Sequence, residues 1–267
     1  MLSLAPRYVP PPQSSGHFSL TAFHVGQGMC SLLAGDEHAF FLDLGAGTPI
    51  RRPAYPALQK NEVLSSVNNL PSGCRIVVVL SHPDSDHWRL LDWDSRLAAS
   101  VDAIVLPSRI PSLAFKSQVL SGRVYSADDF VVRLGSGRDE LRVYRSVPAR
   151  SDRNGECLVC NVEIGGRNAL LSGDYVYKRM SADGHAALSS LQSEKYDALV
   201  VPHHGDRASA KKVPVANTDQ AIAFFSAGNH ASYGHPHAKS RQAHIDRGYV
   251  EKAAPKLADI VGVQLLP

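Results

Sequence analysis

A chain of 267 residues, 44% of them hydrophobic, carries enough apolar side chain for a sizeable core, which excludes a globally disordered protein. Twenty-eight Lys and Arg against 25 Asp and Glu give a formal net charge of +3, too small for the field of the whole molecule to point to a partner. No apolar run approaches the roughly 18 residues of a membrane span, and Pro10-Pro11-Pro12 interrupts the N-terminus before a leader-length apolar stretch can form. The sequence thus predicts a cytoplasmic protein that does not enter a membrane.

Residues 1–16 are proline-rich and end in Gln-Ser-Ser-Gly, which predicts an extended arm. Residues 17–267 contain no internal linker and read as one domain. Apolar runs bounded by turn signals predict strands over 18–25, 29–35 and 39–45, at hairpin spacing. Apolar residues at 57, 58, 63, 64, 67 and 70 predict a helix over 56–70. A buried strand follows over 75–81, a helix over 88–99, a strand over 101–108 and a short helix over 112–122. Several strands fill 124–147, a hairpin spans 156–174, and 183–193 has a helical pattern. The runs 196–206 and 220–237 read as strands that end in histidines. A helix over 238–248 and a terminal strand or tail close the chain. Strands in two halves, each mixed with helices, predict an α/β protein: two β-sheets packed face to face and covered by helices, an αββα sandwich.

Two local features leave alternatives open. Six arginines (133, 138, 142, 145, 150 and 153) face Asp139, Glu140 and Asp152, which is either a solvated strand and loop or a surface that attracts a polyanion. Cys157 and Cys160 form C-x-x-C, but three residues apart in a strand point to opposite faces, so buried thiols are expected rather than a zinc or redox pair.

The residues with chemistry gather at the ends of predicted strands. His82-Pro83-Asp84-Ser85-Asp86-His87 follows Ile76-Val77-Val78-Val79-Leu80; Asp174 follows 156–173; His203 and His204 follow 196–202; His230, His235 and His237 follow 220–228. Loops on the edge of a rigid scaffold can converge. Imidazole and carboxylate donors without thiolate suit zinc, manganese or iron. Two cations about 3.5–4 Å apart need six to eight ligands with a shared carboxylate. His82, Asp84, Asp86, His87, Asp174 and one or both of His203 and His204 supply that number.

Six motifs in order now carry a resemblance: "FHVGQG" (23–28), "FFLDLGAG" (40–47), "LSHPDSDH" (80–87), "GGRNALLSGD" (165–174), "VPHHGD" (201–206) and "GNHASYGHPH" (228–237). Together they resemble the metallo-β-lactamase fold of metallohydrolases, and within it the metallo-β-lactamase-like domain of the bacterial competence protein ComEC, over residues ~18–250. The resemblance implies a dinuclear centre of zinc or manganese. It gives His82 and Asp84 to one cation, Asp86 and His87 to the other, Asp174 to both, and a histidine of the 203–204 pair to the second site. The chain departs from the pattern in four places. Asn154-Gly155-Glu156 stands where many relatives carry a further histidine ligand. Met29 and Asp206 stand where an acid and a serine are common. The membrane channel of the competence protein has no counterpart, so DNA uptake is not expected of this chain.

The chemistry expected is hydrolysis of a phosphodiester, such as one of DNA or RNA, by a water made acidic between two cations. Asp86 would ligate and orient that water, and His235 or His237 would protonate the leaving oxygen. Two other readings stay open: hydrolysis of another small ester, such as a phosphocholine ester or a lactone, and a partner-regulated component of a bacterial defence-type system. His24 reads as a core residue or a substrate contact. Asp43 reads as support for the ligands or as a turn residue, Gly26 and Gly28 as a tight turn, and Trp88 and Trp93 as core. His17, His38, His185 and His244 read as surface residues.

Overall fold

Side chains alternate so regularly along the strands that three separate apolar layers form. The computed structural model describes residues 5–107, 120, 122–135, 137–147, 155–228, 233–253 and 259–267. The helix expected over 112–122 lies almost wholly outside them, as do Arg150, Arg153, Asn154 and His230.

One sheet has seven strands: β2 (Ser19–His24), β3 (Cys30–Ala34), β4 (His38–Leu44), β5 (Arg75–Val79), β6 (Val101–Leu106), β7 (Val124–Ser126) and β17 (Val261–Leu266), ordered β17-β2-β3-β4-β5-β6-β7. From β4 to β7 the neighbours are parallel. The other has eight: β1 (Gln13–Ser14), β8 (Phe130–Leu134), β9 (Glu140–Arg145), β10 (Leu158–Ile164), β11 (Arg167–Leu171), β13 (Ala198–Val200), β15 (Ile222–Phe225) and β16 (Val250–Ala253), in that spatial order. From β11 to β16 the neighbours are again parallel. A two-stranded ribbon, β12 (Lys195–Tyr196) with β14 (Val215–Ala216), stands apart.

Phe40, Leu42, Val77 and Val79 of the first sheet meet Val143, Leu158, Cys160, Val162 and Phe224 of the second in the central layer. Their neighbours in sequence, Ala39, Phe41, Ile76 and Val78, point the other way. There they pack under three helices: α1 (Glu62–Asn68), α2 (Arg89–Trp93) and α3 (Ser95–Ser100). On the far side of the second sheet, Val159, Leu199, Ala223 and Phe225 are covered by α4 (Tyr177–Met180), α5 (Ala186–Leu191) and α6 (Ala238–Ile245). Helix, sheet, sheet and helix therefore form four layers. Strands buried on both faces read as continuous apolar runs, which is why β4, β5, β13 and β15 were legible. Cys157 and Cys160 are buried in different layers, as their spacing predicts.

Several elements differ from expectation. The helix predicted over 56–70 begins only at Glu62, where Asn61 Oδ1 accepts the Leu64 N–H (3.2 Å) and fixes the start. The helix predicted over 88–99 is two: Asp94 turns extended (φ −122°, ψ 107°) and caps α3 by accepting the Arg96 N–H at 2.9 Å. The described part of the N-terminal arm, residues 5–16, is stitched to the domain. Gln13 and Ser14 pair with Arg133 and Leu134, and the Tyr8 ring packs 5.5 Å from that of Phe130. Among the described residues no helix is long and apolar enough to cross a membrane.

Candidate metal centre

The carboxyl ends of the parallel strands of both sheets open onto one edge, and loops there carry the polar side chains. Two hydrogen bonds tie the sheets together at that edge: Leu158 N–H to the Ser81 carbonyl (2.8 Å) and Ser226 Oγ–H to the Gly28 carbonyl (2.5 Å). Gly45 lets the loop after β4 press on the loop after β5. A Cβ at Gly45 would lie 1.7 Å from the Asp86 carbonyl oxygen.

Asp174, in the turn after β11, is the centre of the arrangement. Its Oδ2 lies 3.6 Å from His82 Nε2 and 3.6 Å from His203 Nε2; its Oδ1 lies 3.4 Å from His87 Nε2 and 3.8 Å from His204 Nε2. Asp84 Oδ2 is 3.7 Å from His82 Nε2, and Asp86 Oδ2 is 3.2 Å from His204 Nε2. The seven residues named from the sequence thus come together, and the two histidines of the 203–204 pair turn to different oxygens of one carboxylate. Their loop needs an unusual backbone: His203, His204 and Gly205 have φ of 50°, 54° and 75°. Consecutive left-handed residues are costly unless held. Here His203 N–H donates to the Gly173 carbonyl (3.1 Å) and Gly205 accepts the His237 N–H (2.8 Å).

The outer nitrogens of the rings are anchored. The network assigns Nδ1–H donation from His87 to Asp43 Oδ2 (2.8 Å), from His82 to Ser81 Oγ (3.1 Å), from His204 to the Ser226 carbonyl (2.9 Å) and from His203 to Asp206 Oδ2 (3.1 Å). Each Nε2 then points inward with its lone pair. His82 Nε2, His87 Nε2 and His204 Nε2 are buried and have no hydrogen-bond partner among the described residues. Buried polar atoms of native proteins are nearly always satisfied. Three orphaned imidazole nitrogens turned on one carboxylate fit bound cations, and a nitrogen and oxygen donor set without sulfur fits divalent zinc, manganese or iron.

The electrostatics agree. Burial alone would raise the Asp174 carboxyl, but His87, His204 and His82 outweigh it and hold it well below the usual carboxylate range. Burial opposes a charged His87 imidazole, yet Asp43 and Asp174 draw its proton affinity well above the ordinary value. Asp86 is likewise held low by His204 and His87 against the effect of its burial. The site demands positive charge, which either protons or cations can meet.

A cleft of about 380 Å³ opens over this cluster, walled also by Gln27, Thr48, Arg89, Tyr233 and His235. The His235 ring lies 6.1 Å from that of His203 and 5.9 Å from that of Tyr233. His237, the other candidate proton donor, does not line the cleft. Its Nδ1 accepts the Lys239 N–H (3.1 Å) and caps α6. His24 is core: it is buried, stacks on Phe224 at 4.5 Å, and burial pushes its pKa down to about 4. Trp88 is core too, and its Nε1–H donates to the Pro83 carbonyl at the start of the ligand loop (2.9 Å).

Of the histidines expected at the surface, His17 is exposed and His38 and His185 are half-buried, but His244 is 1% exposed. That expectation is corrected by α6, which has no apolar stripe to announce its inner face and packs His244 against Phe225 and Tyr177. Among the described arginines of the 133–153 stretch, Arg142 pairs with Glu140 and Arg145 with Asp128, and none lines this cleft. Glu156 lines a separate cleft with Arg145 and His185. Sequence reasoning missed Ser81, Ser226 and Arg89, because a lone Ser or Arg makes no pattern. Asp206 it noted only as a departure.

No family model and no curated protein matches the chain. Among solved structures, a mutant of the beta-hydroxylase CmlA is 14% identical over 92% of this chain, with a TM-score of 0.53. CmlA is described as a diiron beta-hydroxylase from Streptomyces venezuelae. This chain spans 54% of that protein's length. YhfI of Bacillus subtilis, described as a metallo-beta-lactamase fold protein, is 10% identical over 93% of this chain and 100% of its own, with a TM-score of 0.49. Zn(2+)-bound PqqB from Methylobacterium extorquens is 14% identical over 88% of this chain and 86% of its own, with a TM-score of 0.46. The four helix–sheet–sheet–helix layers of this chain are shared with the CmlA structure. At these identities the likeness extends to the fold alone.

Proposed function

We propose that the chain is a metal-dependent hydrolase of phosphodiesters that works with two divalent cations, zinc or manganese. The observation that carries this reading is the set of three buried imidazole nitrogens without hydrogen bonds, all turned on Asp174. His82, Asp84, His203 and Asp174 would hold one cation, and Asp86, His87, His204 and Asp174 the other. When bound, the cations acidify the attacking water and offset charge on the phosphoryl oxygens. The rest falls to the chain's own residues. Asp86 accepts a hydrogen bond from the water and orients it. To His235 we assign proton transfer at the leaving oxygen. It is the imidazole of the cleft wall that is not turned on Asp174, and its buried Nδ1 has no partner among the described residues.

A cleft of about 380 Å³ is at the small end of ligand sites. It favours a small diester, or one unit of a single DNA or RNA strand, over a duplex. The motif resemblance to the competence-protein domain supports the same bond. The test is metal analysis, then zinc- and manganese-dependent hydrolysis of bis(p-nitrophenyl) phosphate and of single- and double-stranded DNA. About two metal ions per chain are expected, with diester hydrolysis abolished by chelator and cut roughly 100-fold or more by Asp174→Ala. Protein without bound metal, or full activity in that variant, overturns the reading.

A further inference from the structure

We infer that Arg89 determines the charge of the substrate: its guanidinium holds an anionic phosphoryl oxygen on the rim of the cleft. The inference rests on the phosphodiester reading above and names the residue that would make the site select an anion over a neutral ester.

Arg89 opens α2, two residues beyond His87, and is half-buried. Among the cleft-lining residues it is the one lysine or arginine, and it shares the wall with Asp84, Asp86 and Asp174. A guanidinium beside three carboxylates would ordinarily pair with one of them. Other arginines of this chain do so: Arg52 with Asp92 at 3.2 Å, Arg96 with Asp94 at 2.7 Å and Arg241 with Glu251 at 2.8 Å. Arg89 has no carboxylate within 4.0 Å among the described residues. Among the described residues its hydrogen bond is Nη1–H to the Ala46 carbonyl at 3.5 Å, the outer limit of a hydrogen bond. A guanidinium carries five N–H donors in a planar fork that matches two oxygens of a phosphate. Most of that fork is therefore uncommitted, on a wall beside a cluster whose carboxylates are turned toward histidines instead. A lactone or other neutral ester would leave it without a partner, whereas a phosphate oxyanion satisfies it.

The test compares wild type, Arg89→Gln and Arg89→Lys, each loaded with manganese and checked for metal content and thermal midpoint. Two readouts are taken: the Kd of inorganic phosphate by calorimetry, and kcat and KM for bis(p-nitrophenyl) phosphate. The expected result is that Arg89→Gln raises both the phosphate Kd and the diester KM by about 10-fold or more. Arg89→Lys should fall between, because it keeps the charge but not the fork. A phosphate Kd within about twofold of wild type in Arg89→Gln overturns the inference. So does a loss confined to kcat and metal content, which would make Arg89 a prop for the 84–87 loop. If loaded wild type hydrolyses no diester at all, the hydrolase reading fails instead, and the phosphate Kd still decides Arg89.

Discussion

Asp43 Oδ2 accepts the Nδ1–H of His87 at 2.8 Å, while the same carboxylate takes the backbone N–H and the hydroxyl of Ser81 at 2.7 and 2.8 Å. One aspartate at the end of β4 thus aims His87 directly and His82 through Ser81. Its φ of 61° lies in the left-handed region, where Asp and Asn are tolerated better than other side chains. Asp43→Asn therefore keeps the backbone and the shape but removes the charge that steadies both rings. Metal affinity is expected to fall about 10- to 100-fold, read by competition with a chromogenic chelator. Unchanged affinity would reduce Asp43 to a turn residue.

Asp206 does for His203 what Asp43 does for His87, but on one side of the centre only. Its Oδ2 holds His203 Nδ1 at 3.1 Å, and its Oδ1 accepts the N–H and hydroxyl of Ser209, both at 2.9 Å. Burial would raise this carboxyl, yet the bond to His203 and those from Ser209 bring it down to about 2. Because His203 approaches Asp174 Oδ2 and not the Asp86–His204 side, Asp206→Asn should weaken one metal equivalent by about 10-fold and spare the other. Stepwise metal titration separates the two. Equal loss of both equivalents would contradict the division of the centre drawn here.

How much of this was legible in the sequence depended on whether burial left a periodic trace. Phe40, Phe41, Val78 and Phe224 sit in strands covered on both faces, so the apolar runs announced the strands and their ends announced the ligands. His82, Asp84, Asp86 and His87 share one loop and could be read together. Asp174 and His203 could be joined to them only by motif order, since chain distance carries no contact. Helix limits were read poorly because capping by Asn61 and Asp94 overrode the apolar spacing around them. His244 was misread because Tyr177 and Phe225, which help bury it, come from elements far along the chain.

Gly45 offers a test of the loop contact that no ligand substitution gives. Its φ is not left-handed, so alanine there meets no backbone penalty of its own; the obstacle is the Asp86 carbonyl, 1.7 Å from the new Cβ. That carbonyl also accepts the Met29 N–H at 3.1 Å, so it has little freedom to retreat. Gly45→Ala should displace Asp86 and His87, destabilise the fold by about 1–3 kcal/mol as other overpacked sites do, and lower metal affinity as well. Urea unfolding and metal titration of the variant check both. A stable variant with wild-type metal affinity would mean that the two loops are not in contact.

His244 gives the fold a pH dependence that is separate from the metal centre. Its Nδ1–H donates to the Ser240 carbonyl (2.7 Å), Tyr177 Oη–H donates to its Nε2 (3.1 Å), and the rings of Phe225 and Tyr249 stand 5.3 and 6.3 Å away. Burial, opposed only weakly by the Ser240 bond, pushes its pKa from 6.5 down to about 4. Above pH 6.5 the ring is neutral in both folded and unfolded chains and contributes no slope. Between pH 6.5 and 4 the unfolded chain takes up a proton that the folded chain refuses, so stability falls as pH falls, by at most about 3 kcal/mol at the lower end. His244→Gln removes the titrating group. The variant should be less stable than wild type at pH 7.5, where it loses packing and hydrogen bonds, and the gap should narrow steadily toward pH 4.5. Taking the difference between the two proteins cancels the titration of the carboxylates and histidines they share. Parallel urea midpoints for the two proteins across that range would mean that His244 titrates as an exposed histidine does.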